Sequence, residues 1–124
     1  IQVLTEGMVK LGLLEGDVED LISEEKFKKY YMHGTSHWLG LDVHDVGAYY
    51  VEGESRPLEP GMVLTIEPGL YIAEDDEDAP EEFRGIGIRI EDDVLITKGG
   101  NHVLTAATPK TVADVEAQVQ SGRE

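Results

Sequence analysis

The sequence predicts an α+β domain in which a mostly antiparallel sheet is backed by helices. Residues 1–22 and the stretch that begins at 111 have the apolar spacing of helices. Between them, residues 62–67 and 85–91 alternate apolar and polar side chains, as strands do. The sequence KGGN at residues 98–101 indicates a tight hairpin turn, which joins neighbouring antiparallel strands.

Composition narrows the class of function. The chain has 124 residues, enough for one modest core and a single domain. Its formal charge of −16 argues against a nucleic-acid partner, because phosphate contacts need clustered Lys and Arg. The absence of cysteine excludes disulfides and thiolate sites and favours a reducing, cytoplasmic compartment. No apolar run is long enough to span a bilayer, so we expect no membrane partner.

The helical part of the sequence is predicted in two pieces. Apolar residues recur at spacings of four and three over residues 1–14, and Gly16 is expected to end this first helix. Asp17 is a good N-cap for a second, short helix, with Asp20 three residues on. The inner face of that helix is expected to carry Val18, Leu21 and Ile22. The residues that return the chain to the core are then Phe27, Tyr30 and Tyr31.

Three of the four histidines, His33, His37 and His44, fall within twelve residues. Glycines between them disfavour a helix, so we expect a loop that runs into a short strand over residues 39–46. A lone histidine is usually a core or surface residue, but three so close together, flanked by glycine and aspartate, favour a metal or catalytic site. Alternation in the strand would put Leu39, Leu41 and Val43 on one face and Asp42, His44 and Val46 on the other.

The two predicted strands each carry polar groups opposite their aliphatic side chains. Glu67 ends an apolar strand on the same face as Thr65, so it must be paired, metal-bound or neutralised unless it simply emerges into solvent. Arg89 and Glu91 share the front of the second strand, where an ordinary solvent-facing surface is the alternative. We expect these four side chains to share one face of the sheet, with the helices packed on the opposite, Leu/Ile-rich face.

A mixed imidazole–carboxylate metal site would result if His37, Glu67 and Glu91 came together. These ligands suit zinc, cobalt, manganese or iron, and three of them leave positions open for water. The most acidic segment, residues 74–82, lacks the alternating ligands and central glycine of an EF-hand. We therefore expect it to be a solvated, mobile and protease-sensitive insertion.

Five further local features are predicted. Residues 52–57 are expected to form a loop, residues 92–93 a turn or solvated edge, and His102 is expected to be exposed. A final helix is expected to begin at Thr111 with a capping box and to carry an apolar stripe of valines. Residues 121–124 are expected to fray.

Four segments of the sequence carry a specific pattern: 33–45 (HGTSHWLGLDVHD), 58–71 (LEPGMVLTIEPGLY), 84–97 (RGIGIRIEDDVLIT) and 109–112 (PKTV). Together they resemble the Xaa-Pro aminopeptidases (aminopeptidase P), the proline-specific members of the pita-bread (creatinase/aminopeptidase) metallopeptidases. The resemblance implies that residues 1–124 form the C-terminal half of a pita-bread catalytic domain whose N-terminal half is absent.

The resemblance implies roles for the candidate residues. His37, Glu67 and Glu91 correspond to metal ligands, Glu67 also handling protons and Glu91 bridging two metals. His44 resembles the histidine that contacts the substrate carbonyl during catalysis. The remaining two candidates are His33, a catalytic and substrate-binding residue at the edge of the site, and Arg89, which supports the carboxylates and the substrate.

The implied activity is that of a dinuclear metalloaminopeptidase. It would use two manganese ions, or zinc or cobalt, to release the N-terminal residue from peptides with proline in second position. The family also needs two aspartate ligands that this sequence does not supply, so we expect the chain alone to be inactive. The uncovered edge of a half domain also favours self-association into a homo-oligomer. The alternatives are prolidase (Xaa-Pro dipeptidase) and a non-catalytic pita-bread peptide-binding module.

Overall fold

A computed structural model describes residues 1–122 and has the mixture of helices and antiparallel strands that the sequence predicts. The helices are α1 (Gln2–Lys10), α2 (Val18–Ser23) and α3 (Val112–Ser121), with 3-10 turns at Lys26–Lys29 and Glu81–Phe83. The strands are β1 (Tyr50–Val51), β2 (Glu54–Ser55), β3 (Val63–Ile66), β4 (Gly69–Tyr71), β5 (Gly87–Arg89), β6 (Asp92–Thr97) and β7 (Gly100–Val103). The chain divides into two compact units, unit 1 with Ile1–Gly34 and Pro68–Arg89, and unit 2 with Thr35–Glu67 and the residues from Ile90 onward.

The first helix of unit 1 ends earlier than predicted. It stops at Lys10, because Gly12 adopts a φ of +70° that the helix cannot continue through. The N–H of Leu13 donates to the carbonyl of Met8 and the N–H of Gly12 to that of Val9. These two bonds form a Schellman motif, so the glycine that ends α1 is Gly12 and not Gly16. The second helix begins as predicted, since the Asp17 side chain accepts from two backbone N–H groups of its first turn.

The core of unit 1 is built from the helices, from one residue of the acidic segment and from the chain on either side of that segment. The predicted return residues Phe27, Tyr30 and Tyr31 are all buried in it. The expectation that helices cover the Leu/Ile-rich strand face is wrong at β5, because Ile88 in the strand and Ile86 just before it are 59% and 40% exposed. The side chains that fill the core in their place are Leu70, Ile72, Ala79 and Phe83.

The acidic segment is more firmly held than predicted. Lys29 Nζ lies 2.9 Å from a carboxylate oxygen of Asp76 and 3.1 Å from one of Asp78. The guanidinium of Arg84 donates to two backbone carbonyls of the segment, and Ala79 is only 2% exposed. The segment is therefore not simply solvated, because one buried methyl group and two cations attach it to the rest of unit 1. Its sensitivity to protease stays a prediction.

Unit 2 contains the antiparallel sheet β3–β6–β7. The predicted hairpin turn is confirmed: Thr97 pairs with Gly100, which leaves Lys98 and Gly99 as the two turn residues. His102 is exposed on β7, as expected.

The prediction of a turn at residues 92–93 is wrong, since both aspartates begin β6. Asp92 pairs with Ile66 and Asp93 with Thr65. The hydroxyl of Thr105, which follows β7, donates to Asp92 and accepts from the N–H of Asp93. Both aspartates therefore have a polar partner while they are part of the strand.

Two predictions for unit 2 are wrong: a segment predicted as a loop contains a strand, and a segment predicted as a strand is a loop. The expected loop at 52–57 contains half of the β1–β2 hairpin, whose turn residues Glu52 and Gly53 have φ values of +53° and +86°. Positive φ at both positions is the mark of a type I′ turn. In contrast, residues 39–46 form no strand, and Leu41 is fully exposed. The N–H of Asp45 donates to the carbonyl of Trp38, so this backbone hydrogen bond closes the loop instead of joining it to a sheet.

The last helix begins at its predicted cap. The Thr111 side chain accepts from the N–H of Asp114 and caps α3. The apolar stripe is exposed, with Val112 at 75% and Val119 at 53%. The predicted fraying of residues 121–124 falls partly outside the described residues, since Arg123 and Glu124 are not among them. Over residues 1–122, no helix is long and apolar enough to cross a membrane.

Candidate metal centre

The register of β3 against β6 brings two carboxylates together in unit 2. The strands pair antiparallel, and the last pair is Ile66 with Asp92. Continuing this register by one position places Glu67 opposite Glu91. Like charges in directly opposed positions destabilise a sheet, so the arrangement calls for a compensating positive group. Of the four side chains predicted to share one face, Thr65, Glu67 and Glu91 do so within unit 2. Arg89 belongs to unit 1, and its place on that face stays a prediction.

His37 reaches the same place along the free edge of β3. Trp38 forms an antiparallel bridge with Leu64, and the N–H of Leu39 donates to the carbonyl of Val63 at 3.1 Å. The N–H of Thr65 donates to the carbonyl of His37 at 3.0 Å. The loop over residues 35–46, called the histidine loop below, therefore follows β3 at residues 37–39. This positions the His37 imidazole beside the end of β3.

The donor atoms of the three predicted ligands converge. One donor atom from each of His37, Glu67 and Glu91 lies within 4.8 Å of the other two. Nε2 of His37 lies 3.1 Å from Oε1 of Glu67. Glu67 is buried at 7% exposure, His37 is half-buried and Glu91 is exposed. The site is therefore buried at Glu67 and open to solvent at Glu91.

The other nitrogen of His37 has a partner that determines the tautomer. Nδ1 lies 3.0 Å from the backbone carbonyl of Trp38. A carbonyl can only accept, so Nδ1 carries the proton and donates it. In the neutral ring, Nε2 then presents a lone pair toward the carboxylate of Glu67. Such a lone pair beside a carboxylate needs a proton or a metal ion between them, and a backbone partner on the other nitrogen is typical of metal-binding histidines.

The chemistry of the donor set fits a divalent ion. One imidazole nitrogen and two carboxylates suit manganese, cobalt, zinc or iron, and unit 2 offers no thiolate because the chain has no cysteine. Two carboxylates also provide the negative charge that the ion would neutralise. The residues present therefore fit a metal, while the donor set does not select among these ions.

His44 is brought to the same site despite the absence of the predicted strand. Its ring meets that of His37 edge-on, with centroids 4.4 Å apart. The loop closure between Trp38 and Asp45 turns the chain back and makes this contact possible. His44 is exposed, so it can meet a ligand on the open side.

The last two predicted site residues, His33 and Arg89, lie together in unit 1. The Nε of Arg89 donates to the hydroxyl of Tyr71 at 2.7 Å, and its Nη2 lies 3.4 Å from Nε2 of His33. The His33 ring stands edge-on between two tyrosines, with centroids 5.0 Å from Tyr31 and 5.5 Å from Tyr71. The pairing of β4 with β5 brings Arg89 beside Tyr71, and the N–H of Tyr71 donates to the carbonyl of Tyr30, close in sequence to His33.

Sequence reasoning missed two residues of these clusters. Thr65 was placed only on the face of Glu67, yet its hydroxyl donates to the Glu67 carboxylate at 3.0 Å. Tyr71 was noted only as the end of a motif, yet it contacts both His33 and Arg89. The available signal for Thr65 was its position two residues before Glu67 on a strand, where side chains share a face.

Comparison with known proteins agrees with this geometry. The sequence model of metallopeptidase family M24 matches residues 1–98. The Xaa-Pro aminopeptidase of Escherichia coli (strain K12) is 56% identical over 124 residues, which is all of this chain and 28% of that protein. That of Haemophilus influenzae is 56% identical over 94% of this chain and 26% of its own length. The chain thus spans little more than a quarter of the relatives it matches.

Solved structures give the same result. The structure of Pseudomonas aeruginosa aminopeptidase PepP superimposes with a TM-score of 0.94 at 56% identity, covering 98% of this chain and 28% of that one. Aminopeptidase P from E. coli with the inhibitor Pro-Leu superimposes with a TM-score of 0.90, also at 56% identity, over 98% of this chain and 27% of that one. The backbone that carries the candidate ligands is therefore shared with these proteins.

Proposed function

The chain belongs to metallopeptidase family M24 and has its pita-bread fold, and from this premise we propose that it supplies part of the metal centre of a Xaa-Pro aminopeptidase. The observation that carries the proposal is the convergence of donor atoms from His37, Glu67 and Glu91 within 4.8 Å. The substrate would be a peptide with proline in second position. This substrate class is supported by 56% identity to the Xaa-Pro aminopeptidases of E. coli and H. influenzae.

We assign His37, Glu67 and Glu91 as ligands of a divalent ion, and manganese as the first ion to test. A divalent ion in such a site polarises a substrate carbonyl and activates water for attack. Glu67, buried and bonded to Thr65, is held where it can move a proton at its carboxylate. The two-manganese form of the whole protein is part of the proposal, since the resemblance implies it.

The substrate contacts are assigned to three other residues. His44, exposed and edge-on to His37, is placed to donate a hydrogen bond to a substrate carbonyl on the open side. For His33 and Arg89 we propose the substrate-binding role that the resemblance implies. Within unit 1, the bond from Arg89 to Tyr71 orients that guanidinium.

Metal titration tests the ligand assignment directly. Mn²⁺ is added to the purified 124-residue chain, and free Mn²⁺ is measured by electron paramagnetic resonance. We expect one bound ion. His37→Ala and Glu91→Gln should each raise its Kd at least roughly tenfold, the scale of change seen even when residues that only support the ligands are removed. His102→Ala is the matched control, because it removes an exposed histidine from β7. Equal Kd values for His37→Ala and His102→Ala would contradict the assignment.

A second experiment addresses activity. We expect the 124-residue chain with excess Mn²⁺ to show no measurable hydrolysis of a Xaa-Pro peptide, because it spans only 28% of the E. coli relative and positioning of all the ligands is a large share of catalysis. The E. coli enzyme assayed in parallel is the positive control. Turnover at the rate of that enzyme would show that this chain completes the centre with its own residues.

A further inference from the structure

A fully buried threonine links two of the candidate ligands. Thr65 is 1% exposed on β3, and both hydrogen bonds of its hydroxyl lead to the candidate centre. We propose that Thr65 is a positioning residue, whose hydroxyl holds the Glu67 carboxylate and the His37 backbone in the arrangement that binds a divalent ion. This inference rests on the proposed function, because it concerns the same centre.

The direction of each hydrogen bond follows from the chemistry of its partner. The Thr65 hydroxyl lies 3.0 Å from Oε1 of Glu67 and 3.1 Å from the backbone nitrogen of His37. An N–H only donates and an ionised carboxylate only accepts, so the hydroxyl accepts from His37 and donates to Glu67. The oxygen that receives this proton, Oε1, is also the one 3.1 Å from Nε2 of His37. One hydroxyl therefore orients the carboxylate oxygen nearest the imidazole.

The backbone of Thr65 strengthens the same connection. Its N–H donates to the carbonyl of His37 at 3.0 Å, and its carbonyl accepts from the hydroxyl of Ser36. The backbone of Thr65 is thus held in place, and a β-branched side chain has few rotamers, which restricts the orientation of the hydroxyl. The arrangement of the ligands is consequently set before an ion arrives, which lowers the ordering cost of binding.

A role limited to packing would not require this hydroxyl. Valine has nearly the same shape as threonine and would fill a buried strand position equally well. The other fully buried threonine, Thr5, makes only a local bond: at 0% exposure its hydroxyl donates to the carbonyl of Ile1 at 3.1 Å, at the start of α1. Thr5 thus offers a matched control in which a buried threonine is removed without a change at any candidate ligand.

The test compares Thr65→Val, Thr65→Ser and Thr5→Val with the unchanged chain. Mn²⁺ affinity is measured as above, at a temperature where every variant is folded by circular dichroism. Hydrogen exchange of the His37 amide is measured by NMR without metal. We expect Thr65→Val to weaken Mn²⁺ binding roughly tenfold to a hundredfold and to accelerate exchange at His37, because the amide loses its acceptor. Thr65→Ser should stay within about twofold in both measurements, since serine keeps the hydroxyl.

The outcomes separate this inference from the proposed function. The positioning role is overturned if Thr65→Val binds Mn²⁺ as tightly as Thr5→Val does, or if the exchange rate of the His37 amide is unchanged in Thr65→Val. Either result leaves the ligand assignment intact. Absence of Mn²⁺ binding by the unchanged chain overturns the proposed function and, with it, the role of Thr65 toward a metal. The proposal is supported if Thr65→Ser keeps both the Mn²⁺ affinity and the slow His37 exchange while Thr65→Val loses both.

Discussion

The ammonium group of Lys110 lies 3.0 Å from Oδ1 of Asp92, the residue that directly follows the candidate ligand Glu91. The same ammonium donates to the backbone carbonyls of Thr105 and Thr108 at 3.0 and 3.1 Å, so all three of its protons have acceptors. The Thr105 hydroxyl donates to the same oxygen of Asp92 at 2.6 Å. The segment after β7 is thereby attached to the first residue of β6.

We predict that Lys110→Met destabilises the protein by about 1 kcal/mol, because it removes charge-assisted hydrogen bonds that are still partly exposed to solvent. Urea unfolding followed by circular dichroism measures the change. Lys98→Met is the matched control, since Lys98 occupies the exposed β6–β7 turn. An equal free energy of unfolding for the two variants would show that the contacts of Lys110 contribute no stability.

A second prediction concerns the pH dependence of stability in unit 1. The hydrogen bond from Lys29 holds the pKa of Asp76 below its ordinary value of 3.8. A carboxyl whose pKa is lower in the folded state adds stability above its unfolded pKa and loses it as the pH falls through the folded value. The stability lost in Lys29→Met should therefore be present at neutral pH and should shrink as the pH falls below 3.8.

Free energies of unfolding for both proteins along a pH series test this prediction. Lys28→Met is the control, because Lys28 pairs with Glu25 on the surface, where both side chains are more than half exposed. A difference between Lys29→Met and the unchanged chain that is constant down to the lowest pH would rule out Asp76 as its source.

A third prediction follows from the opposed carboxylates. Without metal, Glu91→Gln should raise the free energy of unfolding by roughly 0.2–1 kcal/mol, because it removes like-charge repulsion with Glu67 across the sheet. With Mn²⁺ the same variant should gain less stability than the unchanged chain, since it has lost a ligand. Thermal unfolding with and without Mn²⁺ measures both effects. Glu54→Gln, on the exposed β1–β2 hairpin, should change neither quantity.

A fourth prediction concerns the contact beneath the only tryptophan. A Cβ atom on Gly47 would lie 2.4 Å from Cδ1 of Trp38, so any side chain there must displace the indole ring. Gly47→Ala should cost about 1–3 kcal/mol, the usual range for overpacking, and should shift the Trp38 fluorescence. At Gly99 an added Cβ meets nothing within 4 Å, which makes Gly99→Ala the control. Identical emission spectra for the two variants would contradict the predicted displacement.

Several features were determined by the sequence alone. The caps at Asp17 and Thr111 and the hairpin turn in the sequence KGGN at residues 98–101 all formed as predicted. Caps and tight turns depend on hydrogen bonds between residues two to four positions apart, so the local sequence contains the necessary information. The alternation of residues 62–67 likewise placed Thr65 and Glu67 on one face, and the two side chains are hydrogen-bonded.

Other features depended on partners far along the chain. The apolar and polar alternation of residues 39–46 suits a strand, but the N–H of Asp45 pairs with Trp38 and the segment forms a loop. Asp92 and Asp93 have the composition of a turn, yet pairing with β3 and contacts to Thr105 make them a strand. Propensity is a weak guide in both cases, because hydrogen-bond partners outside the segment decide its conformation.

In the candidate metal centre, too, the sequence determined some features and the tertiary structure decided others. The residue types at His37, Glu67 and Glu91 indicated metal chemistry, and they are separated by 30 and 24 positions in the sequence. Only the antiparallel register of β3 with β6, together with the path of the histidine loop along β3, brings their donor atoms within 4.8 Å. The sequence alone therefore determined which groups could bind an ion, and tertiary structure decided that they meet, because long-range strand pairing sets which side chains become neighbours.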